Sequence, residues 1–138
     1  MPASDLQRMS RAVIYVLRLK SNRFYVGKSA NVIQRIQQHL RGDGSAWTRK
    51  YPPIGIDRAL QNCGPFDEDK VTKEYMANHG IDNVRGGAYV QEVLSHDERA
   101  LIQREIWVAY DRCKRCGRHG HLVANCYAYL DVNGDEIF

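Results

Sequence analysis

The chain has 138 residues, 43% hydrophobic and 26% charged, with a net charge of +4, which suits one modest domain plus a small appendage. No apolar run approaches the roughly 18–20 residues of a membrane span, and the polar stretch Met1–Ser10 lacks the apolar core of a secretory signal, so an intracellular protein, cytoplasmic or nuclear and not secreted, with no membrane partner is expected. Charge is uneven: nine Lys/Arg against one acid fall between Arg11 and Pro52, giving +8 there and −4 elsewhere, a distribution that suits a polyanionic partner.

Residues 1–10 read as a flexible lead-in. Arg11–Leu19 is rich in β-branched and aromatic residues and reads as a strand, Ser21-Asn22 as a turn, and Arg23–Val26 as the second strand of a hairpin. Ser29 or Asn31 can cap a helix that runs to about Leu40 with Ile33, Ile36 and Leu40 as its apolar stripe, broken by Gly42-Asp43-Gly44-Ser45. Pro52-Pro53 forbids a helix through Ala46–Pro53. Ile54–Leu60 reads as a third strand, and Asp67 to about His79 as a helix stopped by Gly80. Ile81–Tyr89 reads as a turn-rich connector. Ser95-x-x-Glu98 fits a capping box opening a helix to about Ala109. The tail Tyr127–Phe138 reads as a hairpin around Asn133-Gly134, a type I′ signal.

Phosphodiester hydrolysis needs a base for water, stabilisation of phosphate charge, a proton for the leaving oxygen and, usually, a divalent cation. Tyr15 and Tyr25 sit on adjacent strands. A two-residue turn would set Tyr15 opposite Lys28, and a three-residue loop would put Tyr25 on the face of Tyr15; the sequence leaves both open. Lys28 is placed to lower a phenol's pKa. Arg35 and His39, four apart, share a helix face, where one can grip a phosphate and the other can handle a proton. Glu68 falls in helical register with Val71, Tyr75 and Met76, so its carboxylate points toward the apolar side, a costly place without a cation or donor. Trp47, Arg49 and Lys50 interleave an aromatic with cations, as base stacking plus phosphate contact requires, although Trp47 serves equally as a core residue. Asn83-Val84-Arg85-Gly86-Gly87 offers bare amides to a phosphate or forms a plain turn.

Tyr15, Tyr25, Gly27, Lys28, Arg35, His39 and Glu68, in that order, resemble the GIY-YIG nuclease family over roughly Arg11–Ile106. Family members include homing endonucleases, restriction enzymes and the nuclease half of bacterial excision-repair proteins. The resemblance implies an α+β fold, a small mixed or antiparallel sheet flanked by helices. It implies that Tyr15 and Tyr25 are the signature tyrosines, that Gly27 is the signature glycine, and that Lys28, Arg35 and His39 are the polar positions that follow. It further implies that Glu68 is the carboxylate ligand of one Mg²⁺ or Mn²⁺, and that Asn83 is the asparagine often found after that helix. Val13 stands where the family's first motif begins with Gly; that is a backbone and packing position, and inactivity is not expected.

Cys113-x2-Cys116-x4-His121-x4-Cys126 has the spacing of a CCHC zinc knuckle, four N/S ligands suited to tetrahedral Zn²⁺. Arg115 and Arg118, beside Arg112 and Lys114, are candidate nucleic-acid contacts. The expected organisation is therefore the lead-in at 1–10, a GIY-YIG-like nuclease domain at 11–110, and a knuckle with a C-terminal hairpin at 111–138. The expected function is a metal-dependent endonuclease acting on nucleic acid, with DNA favoured and RNA possible, the knuckle aiding substrate binding. The alternative is a non-catalytic nucleic-acid-binding protein that uses both modules as grips.

Overall fold

The computed structural model describes residues 12–137; the lead-in expected at 1–10 and the first residue of the first strand lie outside them. Two compact units divide between Leu94 and Ser95, whereas the sequence places the division near residue 110. The helix before the knuckle therefore belongs to the second unit, where Trp107 packs on the knuckle's Gly117.

The first unit is a four-stranded mixed sheet in the order β3-β1-β2-β4, with β1 at Val13–Leu19, β2 at Arg23–Ser29, β3 at Pro53–Leu60 and β4 at Val84–Gly86. Its helices are α1 (Val32–Leu40), α2 (Ala46–Lys50) and α3 (Asp67–His79). The α+β class and the sheet flanked by helices agree with expectation. Lys20–Asn22 makes the hairpin loop three residues long, with Ser21 and Asn22 both left-handed at φ 62° and 57°. Tyr15 then pairs with Gly27 and Leu17 with Tyr25, so both tyrosines lie on one face of the sheet.

That face carries α1 and α2. Tyr15, Leu17, Leu19, Tyr25 and Trp47 form one buried cluster, with Val32, Ile36 and Tyr51 packed against it. A helix as short as α2 is not stable by itself. It is pinned by Trp47, worth ~1.5–3 kcal/mol in burial, whose indole N–H donates to the Phe24 carbonyl at 3.0 Å. The helix ends just ahead of Pro52-Pro53, so the prolines bound it without excluding it. The expected stripe of α1 is corrected: Ile33 and Leu40 are 74% and 62% exposed, while the buried face holds His39 and half-buried Val32, Arg35 and Ile36.

On the opposite face, Phe24 packs in tilted contacts against Tyr75 and His79 of α3 at ring separations of 5.4 and 4.2 Å. The stretch expected as a connector contains β4, which pairs parallel to β2 from Phe24↔Val84 to Val26↔Gly86. A parallel strand of three residues leaves too short a pattern to read.

In the second unit, α4 (His96–Ala109) opens on the Ser95 cap of the expected capping box, with Glu98 returning to the Ser95 hydroxyl rather than to its amide. The Ser95 hydroxyl accepts from the Glu98 amide at 3.1 Å and donates to its carboxylate at 3.2 Å. The C-terminal hairpin closes through a Leu130↔Glu136 bridge. Its turn is not type I′: Gly134 has φ 87° but Asn133 is not left-handed, and Gly134 N–H donates to Asp131 at 3.0 Å. The Asp131 carboxylate instead accepts from the amides of Asn133 and Asp135. Among the described residues no helix is long and apolar enough to cross a membrane.

Candidate active site and metal centre

Adjacent strands set the phenols of Tyr15 and Tyr25 at ring centroids 6.5 Å apart. Gly27 faces Tyr15 across the ladder for a steric reason: a Cβ there would lie 2.3 Å from the tyrosine's Cζ and hydroxyl oxygen. From α1, His39 reaches the pair, with its Nε2 3.0 Å from the Tyr15 hydroxyl and its ring 4.9 Å from that of Tyr25. The other nitrogen, Nδ1, is 3.0 Å from Thr48 Oγ1 on α2.

Burial raises the pKa of Tyr15, with Tyr25 adding to the rise. Burial likewise raises Tyr25. The Arg35 guanidinium opposes both shifts, while the Glu68 charge adds to both. Burial, reinforced by Arg35, lowers His39 to about 4, so its imidazole is neutral at physiological pH. Glu68, half-buried at the start of α3, is raised by burial and Asp69 and lowered by Lys28. The cation expected beside the phenols is thus Arg35. Lys28 lies one position out of register with Tyr15, paired with Ile14, and its charge acts on the carboxylate.

Of the three consecutive acids, Asp67 accepts from the Gly64 amide at 2.7 Å and Asp69 from the Ala88 amide at 3.0 Å. Those two serve the backbone, and Glu68 is the one drawn into the field of the phenols. The geometry thus brings Tyr15, Tyr25 and His39 into contact, the charges of Arg35 and Glu68 act on both phenols, and that of Lys28 acts on Glu68.

The substrate-contact candidates fare differently. Trp47 is 3% exposed and packs in the core, so it offers no face to a base. Arg85 is 2% exposed; its guanidinium donates to the carbonyls of Ile81, Val84, Gln91 and Glu92 and lies 4.7 Å above the Trp47 ring. Those bonds fix the chain around β4, and the group is not free for phosphate. Asn83 donates to the His79 carbonyl at the end of α3, at 2.7 Å. Arg49 and Lys50 are exposed, Lys50 lying 3.8 Å from Glu92. Sequence reasoning missed Gly44, Ser45 and Thr48. The available signal was Ser45-x-x-Thr48, the spacing of a helix cap, and Ser45 does accept from the Thr48 amide at 3.2 Å.

In the second unit the donor atoms of Cys113, Cys116, His121 and Cys126 lie within 4.8 Å of one another. Three sulfurs and an imidazole at that separation suit tetrahedral zinc, which prefers N/S ligands. The Ala128 amide, followed by Arg115 and His121, pulls the Cys126 thiol down to about 6, toward the thiolate that binds metal. Arg115 donates to the Ala128 carbonyl at 2.8 Å and to the Cys126 sulfur at 3.3 Å. Arg118 donates to the carbonyls of Leu130 and Asp131. Both expected nucleic-acid contacts therefore tie the tail to the knuckle.

No curated protein and no solved structure matches the chain. The N-terminal region, residues 11–76, does match the family model of the GIY-YIG catalytic domain, and with the CCHC-type cluster this supports a nuclease-like, metal-associated function.

Proposed function

We propose that the protein is a metal-dependent endonuclease, with DNA the favoured substrate, in which Tyr15 activates the attacking water. The observation that carries this reading is the neutral His39 nitrogen 3.0 Å from the Tyr15 hydroxyl. A phenol whose pKa is raised is a poor base by itself. It becomes an effective one when it passes its own proton to His39 as it takes a proton from water, the negative charge of the bound phosphate offsetting the burial and the Arg35 charge that otherwise oppose the imidazolium. The water oxygen then bonds to phosphorus, the bond from phosphorus to the leaving oxygen breaks, the leaving oxygen takes up a proton from solvent water, and the proton held on His39 returns to solvent. Arg35, whose charge already acts on both phenols, holds the phosphate and its developing charge. Tyr25 orients the phosphate.

Glu68 fits a Mg²⁺ or Mn²⁺ ligand: it is a half-buried oxygen donor with Asp67 and Asp69 on either side engaged elsewhere. Mg²⁺ commonly binds through one or two carboxylates, keeping waters and taking substrate phosphate. When bound, the ion would supply charge neutralisation at the phosphate. The cysteines and His121 would hold a structural Zn²⁺, and the exposed Arg49 and Lys50 would meet the nucleic-acid backbone. In this reading the nuclease function belongs to the first unit, and α4, expected within the nuclease domain at 11–110, joins the knuckle and tail of 111–138 in the second.

The test is cleavage of labelled single-stranded, duplex and branched DNA and RNA, with and without Mg²⁺. Scission that needs Mg²⁺ and is lost in Tyr15→Phe, His39→Ala and Glu68→Ala supports the reading; full activity in any of these variants refutes the role of that residue. A second reading, a non-catalytic grip on nucleic acid, is favoured by the 1% exposure of Tyr15. Tight, metal-independent binding without scission of any substrate in the panel would establish it.

A further inference from the structure

We propose that Thr48 is a positioning residue: by accepting the Nδ1 proton of His39 it leaves Nε2 as a bare acceptor aimed at Tyr15, and so sets the direction in which the phenolic proton leaves. This rests on the nuclease reading above for its functional consequence, and on hydrogen-bond chemistry for the rest. The Thr48 hydroxyl has one proton and lies 3.1 Å from the Ser45 carbonyl oxygen. A carbonyl only accepts, so the Thr48 proton goes there, and the Ser45 hydroxyl, 3.2 Å from the same Thr48 oxygen, meets it as a donor. Toward His39 Nδ1, at 3.0 Å, the same oxygen then accepts, and Nδ1 carries the hydrogen. A neutral imidazole holds one such proton, so Nε2 is unprotonated and takes the Tyr15 hydroxyl as donor at 3.0 Å.

All the bonds run one way: Tyr15 to His39, His39 to Thr48, Thr48 to the Ser45 carbonyl. The other tautomer would present N–H to the Tyr15 oxygen and a bare Nδ1 to a hydroxyl whose proton is already committed. Among the described residues Tyr15 would then have no hydrogen-bond acceptor for its proton.

The surroundings are built for this arrangement. Thr48 is 1% exposed, so it meets neither solvent nor substrate. A Cβ on Gly44 would come within 2.1 Å of His39 Nδ1, so the loop closes over the ring only as glycine. Ser45 holds the Thr48 amide at 3.2 Å and also opposes the rise of the Tyr25 phenol. Gly44-Ser45-x-x-Thr48 thus backs both tyrosines from one helix start.

The tautomer is read directly from the imidazole nitrogens of ¹⁵N-histidine-labelled, zinc-loaded full-length protein at pH 7. The expected spectrum has His39 protonated at Nδ1 and bare at Nε2, the Nδ1–H form is lost or mixed in Thr48→Val, and Thr48→Ser restores it. In cleavage assays Thr48→Val should lower kcat about 10–100-fold, the scale on which a misdirected supporting residue acts, with KM within about twofold. Thr48→Ser should recover most of the loss. A wild-type His39 protonated at Nε2 overturns the proposal, as does Thr48→Val with unchanged tautomer or unchanged kcat. The wild-type spectrum decides even if the valine variant fails to fold. It needs no cleavage, so a protein that never cuts would defeat the nuclease reading while leaving the Thr48 assignment to its own measurement.

Discussion

Lowering the pH should destabilise the protein through His39 in a window set by the cost of charging it. Its folded pKa is about 4 against an ordinary 6.5, because burial, then Arg35, opposes the imidazolium. As pH falls, the unfolded chain therefore binds the proton first. Stability rises with pH wherever the unfolded state holds more protons, so this contribution is complete above about 6.5 and is lost progressively down to about 4. At 1.36 kcal/mol per pKa unit the whole swing is about 3 kcal/mol, a large share of the roughly 5–15 kcal/mol that holds a typical domain. His39 is 1% exposed, so solvent screening removes little of it. Urea unfolding of zinc-saturated wild type and His39→Gln between pH 4 and 7.5 isolates the effect, since Glu68, raised and thus of opposite sign, is present in both. The wild type should lose about 3 kcal/mol more than the variant across the window. Parallel curves, or a His39 titration with its midpoint near the unperturbed value, would refute the reasoning.

Gly27→Ala should cost about 1–3 kcal/mol by overpacking and slow cleavage by pushing the Tyr15 hydroxyl off His39; a thermal melt with an activity assay checks both, and an active, undiminished variant would contradict the 2.3 Å clash. Arg85→Met should destabilise by about 3 kcal/mol, because buried charge-assisted bonds to carbonyls are lost; a drop in substrate affinity with unchanged stability would return Arg85 to the role of phosphate contact. Cys116→Ser should abolish bound zinc, measured by elemental analysis, and remove hydrogen-exchange protection within 113–137 while leaving the His39 resonances in place. Arg49→Ala with Lys50→Ala should flatten the salt dependence of nucleic-acid binding by about two charge equivalents, at ~0.9 per phosphate contact. Arg115→Ala with Arg118→Ala should leave that slope unchanged, and an equal flattening by both pairs would refute the division.

The polar constellation was legible because its residue types are chemically demanding and its order along the chain is long. The faces were not. Whether Tyr25 joins Tyr15 turned on one residue of loop length, decided by Ser21 and Asn22 both adopting left-handed backbone, which a Ser-Asn pair does not announce. The stripe of α1 was misread because hydrophobicity favoured Ile33 and Leu40, while the sheet selected the side bearing Arg35 and His39; the helix buries what the site needs rather than its most apolar side. Arg85 and Trp47 resemble a nucleic-acid contact in one dimension because a cation and an indole are useful in both settings. In three dimensions they stack on each other, and the arginine's donors are taken up by carbonyls. Thr48 went unnoticed because a threonine carries no chemistry until its partners are known.

Exposure within the candidate site follows the cost of removing charge from water. Tyr15, His39 and Thr48, all neutral at physiological pH, are each 1% exposed. Arg35 and Glu68 are half-buried, and Lys28 is exposed. Burying a neutral phenol against a neutral imidazole is cheap once the two bond each other, whereas an isolated carboxylate or guanidinium would lose several kcal/mol of hydration. The same accounting separates the cations that can meet a polyanion from those that cannot. Lys28, Arg49 and Lys50 remain in water, whereas Arg85, Arg115 and Arg118 have given their donors to carbonyls. Between Ser95 and Phe138 there are six Lys/Arg and seven Asp/Glu, so the second unit brings no net attraction of its own. The long-range pull on a nucleic acid must therefore come from the segment that also carries the tyrosines, which draws a phosphate toward the residues proposed to act on it.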